Sequence, residues 1–444
     1  MTTSPAIGRF TAELRAICGP EHVVDDPVEL QRHQVLGAAP RTSVTPGSAD
    51  EIVAILRFAN EHRLNIVPAG GFTQQQTGNP PAQIDVLLST ARLTEVEHYD
   101  PGDLTVGVGA GYTVAHLSAM VGKDGLFFAA DPPLPQQATI GGLLATGMIG
   151  PHRQGYGGLR DYCIGVRFVT GDGRKGKGGG RVVKNVAGYD MMKLLIGSQG
   201  TLGVITSASF KLFPAPRQTR TYVSEFASSV EAVEFRDHLL RSPLDPLCLE
   251  LVSPQAGEFL PGFGPDGPWL LLLRAAGSDA VLSRYRAELG AAVSREVDGQ
   301  SEQDVGRAMA DFSHLVDERH PRSLLVSLSL PLRDVQGTLN HLATVAESNG
   351  FTFACIGRVG VGQLLAALWP RTDADLPPVN FVNTVSGLRS KLPQDASLAV
   401  LRCPLEAHKQ ISAWGPTPTD EKSMRAVKMA LDPRDILNRG RFLV

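Results

Sequence analysis

No two of the five cysteines in this 444-residue sequence (Cys18, Cys163, Cys248, Cys355 and Cys403) stand in C-x-x-C spacing. That scattering excludes a disulfide framework, a zinc ribbon and an iron–sulfur cluster held by this chain alone. Charge of one sign is lacking too: 42 Lys and Arg face 45 Asp and Glu, a formal net charge of −3. So even a balance gives the whole chain no electrostatic reason to bind nucleic acid or anionic lipid. No apolar run approaches the roughly 18 residues of a membrane span. The opening MTTSPAIGRF has no basic flank leading into an apolar stretch, so no secretory signal is read there. What is plentiful is glycine, 47 residues beside 31 prolines. That is above ordinary usage but below low-complexity sequence. With 43% hydrophobic residues, the expectation is a globular, cytoplasmic chain of two or three domains.

The glycines concentrate between about positions 70 and 205. Ahead of them, residues 48–62 read as an amphipathic helix. Ser48 and Glu51 have capping-box spacing, and Ile52, Ile55, Leu56 and Ala59 fall on one face. Strands are expected at 65–68, 84–88, 104–108, 163–170 and 203–213, with a helix over 113–121. Gly171-Asp172-Gly173 is a hairpin turn. Beyond Pro216 the pattern changes. Strands at 219–226, 269–275, 324–330 and 351–358 alternate with helices at about 228–240, 278–292, 301–318 and 332–350. A short helix is expected up to Trp369 and another over 419–431, with long loops at 371–380 and 415–420. This is an α+β pattern with a mainly antiparallel sheet.

Three glycine clusters are candidates for holding a phosphate-bearing ligand. The first, Gly70-Gly71-Phe72-Thr73-Gln74 and on to Gly78, follows a strand, where successive backbone N–H groups can form an anion-binding concavity. It reads equally as an ordinary Gly-Gly turn. The second is Thr139-Ile140-Gly141-Gly142, continuing through Gly147, Gly150 and Gly155. A helix that opens on Gly-Gly admits a bulky ligand, or simply packs tightly. The third runs from Lys184-Asn185-Val186-Ala187-Gly188-Tyr189-Asp190 to Gly197-Ser198-Gln199-Gly200-Thr201-Leu202-Gly203-Val204-Ile205-Thr206. Rival nucleotide motifs are poorer. Gly107–Gly111 and Gly357–Gly362 are not G-x-G-x-x-G, Lys175–Arg181 reads as a solvated connection, and no Walker-type motif is present.

In order and spacing, the three clusters resemble the FAD-binding domain of the vanillyl-alcohol oxidase/p-cresol methylhydroxylase (PCMH-type) superfamily. KNVAGYD at 184–190 and GSQGTLGVIT at 197–206 are similar to its 2-hydroxy-acid dehydrogenase branch, and particularly to the FAD-binding E subunit of bacterial glycolate oxidase. Asp432-Pro433 and Asn438-x-Gly440 resemble the family's terminal DP…NPG, with Arg439 in place of Pro. The resemblance implies an α+β fold in which a two-subdomain PCMH-type FAD-binding domain (36–216) carries an α+β cap (217–418) and a tail (419–444) returns to the first domain. It implies that Gly70, Gly71, Phe72, Thr73 and Gln74 cradle the FAD pyrophosphate, and that Pro132, Thr139, Gly141, Gly142, Gly147 and Tyr156 line the rest of the pocket. Gly203, Val204 and Ile205 would offer backbone groups, and Asn438 would complete the flavin pocket. Some relatives attach the flavin to a His in the first loop. Residues 68–81 contain none, so the FAD is expected to be noncovalent.

Such a protein takes a hydride from a substrate carbon onto the flavin while a base removes the hydroxyl proton. A 2-hydroxy acid also needs a cation for its carboxylate. Related dehydrogenases carry a His-rich segment and a Glu-His pair around a metal. The matching places here read Gly357-Arg358-Val359-Gly360-Val361-Gly362-Gln363 and Ala413-Trp414-Gly415, so no metal site is expected. Arg358 is the candidate partner for a substrate carboxylate, against a surface ion pair. By family position Lys184 and Tyr189 approach the flavin, and Trp414 fills the space of the metal or packs in a core. His314, His320 and His408 have no ligand-type spacing and read as solvated or structural, and no residue is nominated as catalytic base. Three functions follow. One is the FAD subunit of a glycolate (2-hydroxy-acid) oxidase complex that feeds a paralogous flavoprotein and an iron–sulfur subunit, with any membrane association running through those partners. The second is a self-sufficient FAD oxidase of alcohols or hydroxy acids, and the third a flavin-binding scaffold without turnover.

Overall fold

The computed structural model describes residues 5–180, 189–372 and 376–443. The first capping box forms as read: Ala49–His62 is helical. The Ser48 hydroxyl accepts from the Glu51 amide at 3.1 Å, and the Glu51 carboxylate accepts from the Gly47 amide at 2.8 Å. These bonds satisfy backbone donors that a helix start leaves open. The apolar face of this helix packs on a small sheet whose strands Pro40–Val44, Ile84–Ser89 and Ile66–Ala69 run parallel, with Val23–Val24 added antiparallel.

Among the described residues the strands form four sheets. The second orders Val96–Asp100, Thr105–Gly109, Val204–Lys211, Cys163–Val169 and Lys175–Gly179 side by side, all antiparallel. Helices Val114–Gly122 and Ile140–Thr146 place Leu117, Ile140, Leu143 and Leu144 in the core these two sheets share. Leu126–Phe127 and Phe213–Pro214 make a two-stranded ribbon beside it. The fourth sheet has eight antiparallel strands in the order Val293–Val297, Thr219–Phe226, Trp269–Ala276, Cys248–Val252, Phe351–Arg358, Gln363–Pro370, Leu324–Ser329 and Ser397–Arg402. Helices Ser229–Arg241, Asp279–Leu289, Val335–Ser348 and Pro378–Ser390 cover one face through Val233, Leu282, Leu342 and Phe381. The long helix Gly299–Arg319 covers the other through Val305, Met309, Phe312 and Val316.

Two readings of the second half are corrected. The segment ending near Trp369 is not a short helix but the strand Gln363–Pro370, paired on both sides. Its Leu364, Ala366, Ala367 and Leu368 are fully buried, and two ladders of hydrogen bonds outweigh the helix propensity of Leu and Ala. The loop expected over 371–380 gives way at Pro378, the first residue of a helix. Strands Cys248–Val252, Val293–Val297 and Ser397–Arg402 were not anticipated at all.

Polar contacts then fix the large sheet against the glycine-rich half. On the long helix, Arg307 pairs with Asp311 at 2.7 Å and donates to the Pro132 carbonyl at 2.8 Å. Asp311 in turn accepts from the Leu134 amide at 2.8 Å. The tail closes the same half. Ile436 and Leu437 are fully buried in its core, and the Asn438 amide donates to the Ile66 carbonyl at 2.8 Å. A buried ammonium holds this return in place. Lys428 donates to the Thr201 carbonyl (2.9 Å), the Leu437 carbonyl (3.0 Å) and the Asp432 carboxylate (2.6 Å). No helix among the described residues is long and apolar enough to cross a membrane.

Candidate functional site

The glycine clusters meet around one cleft, which with its open mouth encloses about 860 Å³ of empty space. Gly70, Gly71, Phe72, Thr73 and Gln74 form one wall where the chain leaves strand Ile66–Ala69. Thr139, Gly141 and Gly142, at the start of helix Ile140–Thr146, form a second with Pro132 nearby. Gly203, Val204 and Ile205 line it at the start of strand Val204–Lys211, and Asn438 arrives from the tail.

The glycines of these walls serve different ends. A Cβ on Gly71 would coincide with the carbonyl oxygen of Gln137, so this glycine lets two walls touch. At Gly141 a Cβ would lie 2.9 Å from that of Ala110, a packing contact. At Gly142 it would meet only the Thr139 hydroxyl, at 3.2 Å, and would otherwise stand in the open cleft. Thr139 caps this helix by accepting from the Gly142 amide at 3.3 Å.

Two residues expected on the wall are not among those that line it, although Gly147 stands between the lining residues Thr146 and Met148. Gly147 ends the helix in a left-handed conformation (φ 67°), donating back to the Leu143 carbonyl at 2.9 Å, and is no part of the cleft lining. Tyr156 packs among Phe127, His152 and Phe213, with ring centroids 4.9–5.9 Å apart, away from the cleft. Tyr189 is 89% exposed, and Lys184 falls outside the described residues.

Arg358 is neither a surface ion pair nor part of a cleft wall. It is buried beside Glu250 on the neighbouring strand, Nε to Oε1 4.0 Å. Glu250 is fully buried, and neither carboxylate oxygen has a hydrogen-bond partner. Burial pushes its carboxyl up to about 8, with Arg358 opposing the shift and Asp131 adding to it. Of the histidines, His320 stacks on Trp369 at 4.2 Å and His408 is fully buried. His314 pairs with Glu318 at 3.2 Å on the rim of a second cleft.

That second cleft shares Phe72, Thr73, Gln74, Pro133 and Met148 with the first and continues to Ser313, Asp317, Leu325, Leu401 and Arg402 of the large sheet and its long helix. Arg402 donates to the Ser313 carbonyl at 2.9 Å and pairs with Asp317 at 3.0 Å. Its Nε is buried without a partner. The first cleft holds its own arginine, Arg441, which sequence reading passed over. Nothing local distinguishes either residue, because each reaches its cleft through a long-range fold contact.

Residues 40–175 match the FAD binding domain, and residues 408–442 match the C-terminal domain of FAD linked oxidases. Glycolate oxidase subunit GlcE of Escherichia coli is 30% identical over 262 residues, 57% of this chain and 69% of that protein. The chain belongs to the PCMH-type family of FAD-linked oxidases. Glycolate oxidase subunit GlcD of Bacillus subtilis is 25% identical over 91% of this chain and 89% of its own. A D-lactate dehydrogenase of Archaeoglobus fulgidus is 36% identical, but the match spans only 48% of each chain. Substrate-bound p-cresol methylhydroxylase shares the fold, with a TM-score of 0.79 at 17% identity over 99% of this chain and 98% of its own. FAD is the cofactor of this PCMH-type oxidase, and the cleft fits it on its own terms. Gly142 leaves wall space that a side chain would fill, and the buried Asn438 Oδ1 and Arg441 Nη1 have no protein partner.

Proposed function

We propose that this chain is the FAD-binding subunit of a 2-hydroxy-acid oxidase complex, acting on a small substrate such as glycolate or D-lactate and passing electrons to a partner flavoprotein and an iron–sulfur subunit. One observation carries the reading: the glycine-walled cleft and the second cleft share Phe72, Thr73, Gln74, Pro133 and Met148 as lining, so a cofactor and a small anion can lie side by side. Residues 36–216 then act as the FAD-binding unit, joined by the buried Leu14, Cys18 and Val23 from the segment before it. Residues 217–418 act as the cap, and 419–444 as the returning tail.

In this reading Gly70, Gly71, Phe72, Thr73 and Gln74 hold the pyrophosphate. Pro132, Thr139, Gly141, Gly142, Gly203, Val204, Ile205 and Asn438 enclose the remainder. When bound, FAD supplies the hydride acceptor. Arg402 takes over the carboxylate role first assigned to Arg358, because it lines the second cleft with an unpartnered Nε, whereas Arg358 lines neither cleft. Leu325 and Leu401 exclude water beside it. The Asp317 carboxylate holds the guanidinium in place, which orients a substrate's α-carbon toward the first cleft.

Anaerobic addition of glycolate or D-lactate to the purified flavoprotein, alone and with its partner subunits, tests the reading. Bleaching of the flavin absorbance is expected. Bound flavin that no 2-hydroxy acid bleaches in either state would leave the scaffold role instead.

A further inference from the structure

Arg441 is the only residue with a charged side chain among the described residues lining the first cleft. It is 4% exposed, and its position is heavily constrained. Its Nη2 donates to the carbonyls of Gln75 (3.1 Å) and Thr77 (2.7 Å), on the continuation of the first glycine loop. Its own carbonyl accepts from the Trp414 indole (2.7 Å) and the Asn79 amide (3.0 Å). Trp414 thereby pins the backbone of a buried cation.

Among the described residues, no acidic side chain neutralises that cation. Burial alone accounts for the lowering of its guanidinium to about 10, with no acidic side chain contributing. The fully buried His408, which burial and Arg441 together push down to about 4, offers no counter-charge either, since an imidazole is neutral or cationic. Nη1 has no hydrogen-bond partner. An unpaired buried charge is among the costliest features a fold can carry. It is retained where a ligand brings the opposite sign.

We infer that Arg441 is the charge partner of an anionic group of the bound dinucleotide. This rests on FAD occupying the first cleft. Two parts of FAD supply such a group. One is the pyrophosphate. The other is the ring system, which gains a negative charge when it accepts a hydride, two electrons with one proton. Arg441 acts by positioning and charge and transfers nothing itself.

The test compares Arg441→Met and Arg441→Lys with the parent protein in two measurements: FAD affinity of the apoprotein, and the flavin midpoint potential. R441K is expected to bind FAD within about threefold of the parent, while R441M weakens binding at least tenfold or lowers the midpoint potential. If the partner is the pyrophosphate, affinity falls and the potential of the bound flavin stays put. If it is the reduced ring, each tenfold loss of preference for the reduced form lowers the two-electron potential by about 30 mV. Should R441M fail to fold by circular dichroism, R441Q, which keeps amide donors toward Gln75 and Thr77, serves in its place. R441M with parental affinity and parental potential overturns the inference, as does R441K failing as badly as R441M. The FAD placement fails separately: a bulky residue at Gly142 would then leave FAD binding intact in a protein with normal Arg441.

Discussion

Replacing Gly142 by Leu tests the cofactor site directly, because the fold itself should tolerate the change. A Cβ at this position meets only the Thr139 hydroxyl, at 3.2 Å, so the added side chain must project into the cleft. The helix gains from losing a glycine, by roughly 0.5–1 kcal/mol. The bound cofactor meets the inserted methylenes as an overpacked interior would, at about 1–3 kcal/mol. That range corresponds to roughly 5- to 150-fold in dissociation constant. Gly71 is the control. A Cβ there would overlap the Gln137 carbonyl, so Gly71→Ala strains the loop even without cofactor. Fluorescence titration of the apoproteins with FAD, paired with apoprotein melting curves, separates the two. G142L should melt at or above the parental temperature and bind FAD weakly, whereas G71A should melt lower. A G142L protein that binds FAD as tightly as the parent would refute the assignment of this cleft.

Two further perturbations follow from buried charges. Lys428→Met removes one partner of the buried Lys428–Asp432 pair and should cost about 3–5 kcal/mol in urea unfolding, with FAD loading falling as the tail loosens. An unfolding midpoint within error of the parent would show that the clasp is not needed. Glu250→Gln addresses the acid whose folded value is raised to about 8. A raised carboxyl adds stability that is complete below its unfolded value near 4.3 and is lost as pH climbs through the folded value. The advantage of E250Q over the parent should therefore grow by about 1.4 kcal/mol per pH unit across that window, to at most about 5 kcal/mol. Chemical denaturation at pH 5 and pH 8 measures it, and a constant difference would contradict a buried neutral acid.

Much of the fold near the cleft was legible because its signals are local. Ser48-x-x-Glu51, Thr113 and Thr139 each cap the helix that their position announces. The glycine walls were legible for a different reason. Backbone that must approach a ligand or another wall tolerates no side chain, so the requirement is written into composition itself. Gly147 and Tyr156 show that local sequence leaves more than one structural use open. A glycine can serve a helix end and a tyrosine an aromatic cluster, and neighbouring residues cannot tell these uses apart. The strand Gln363–Pro370 was misread because Leu-Leu-Ala-Ala-Leu carries no strand signature until two neighbours pair with it.

What the sequence determined by itself was the cofactor class and the glycine walls of the first cleft, since close approach and capping depend on residues a few positions apart. Charge placement belonged to the tertiary structure. Arg358, an obvious candidate by position, is buried beside Glu250 across a strand pair and lines neither cleft. Arg402 and Arg441, unremarkable in the chain, reach the clefts through the last strand of a sheet and a tail that crosses back over more than 360 residues. Burial and partners decide what a charge can do, and both are properties of the assembled fold.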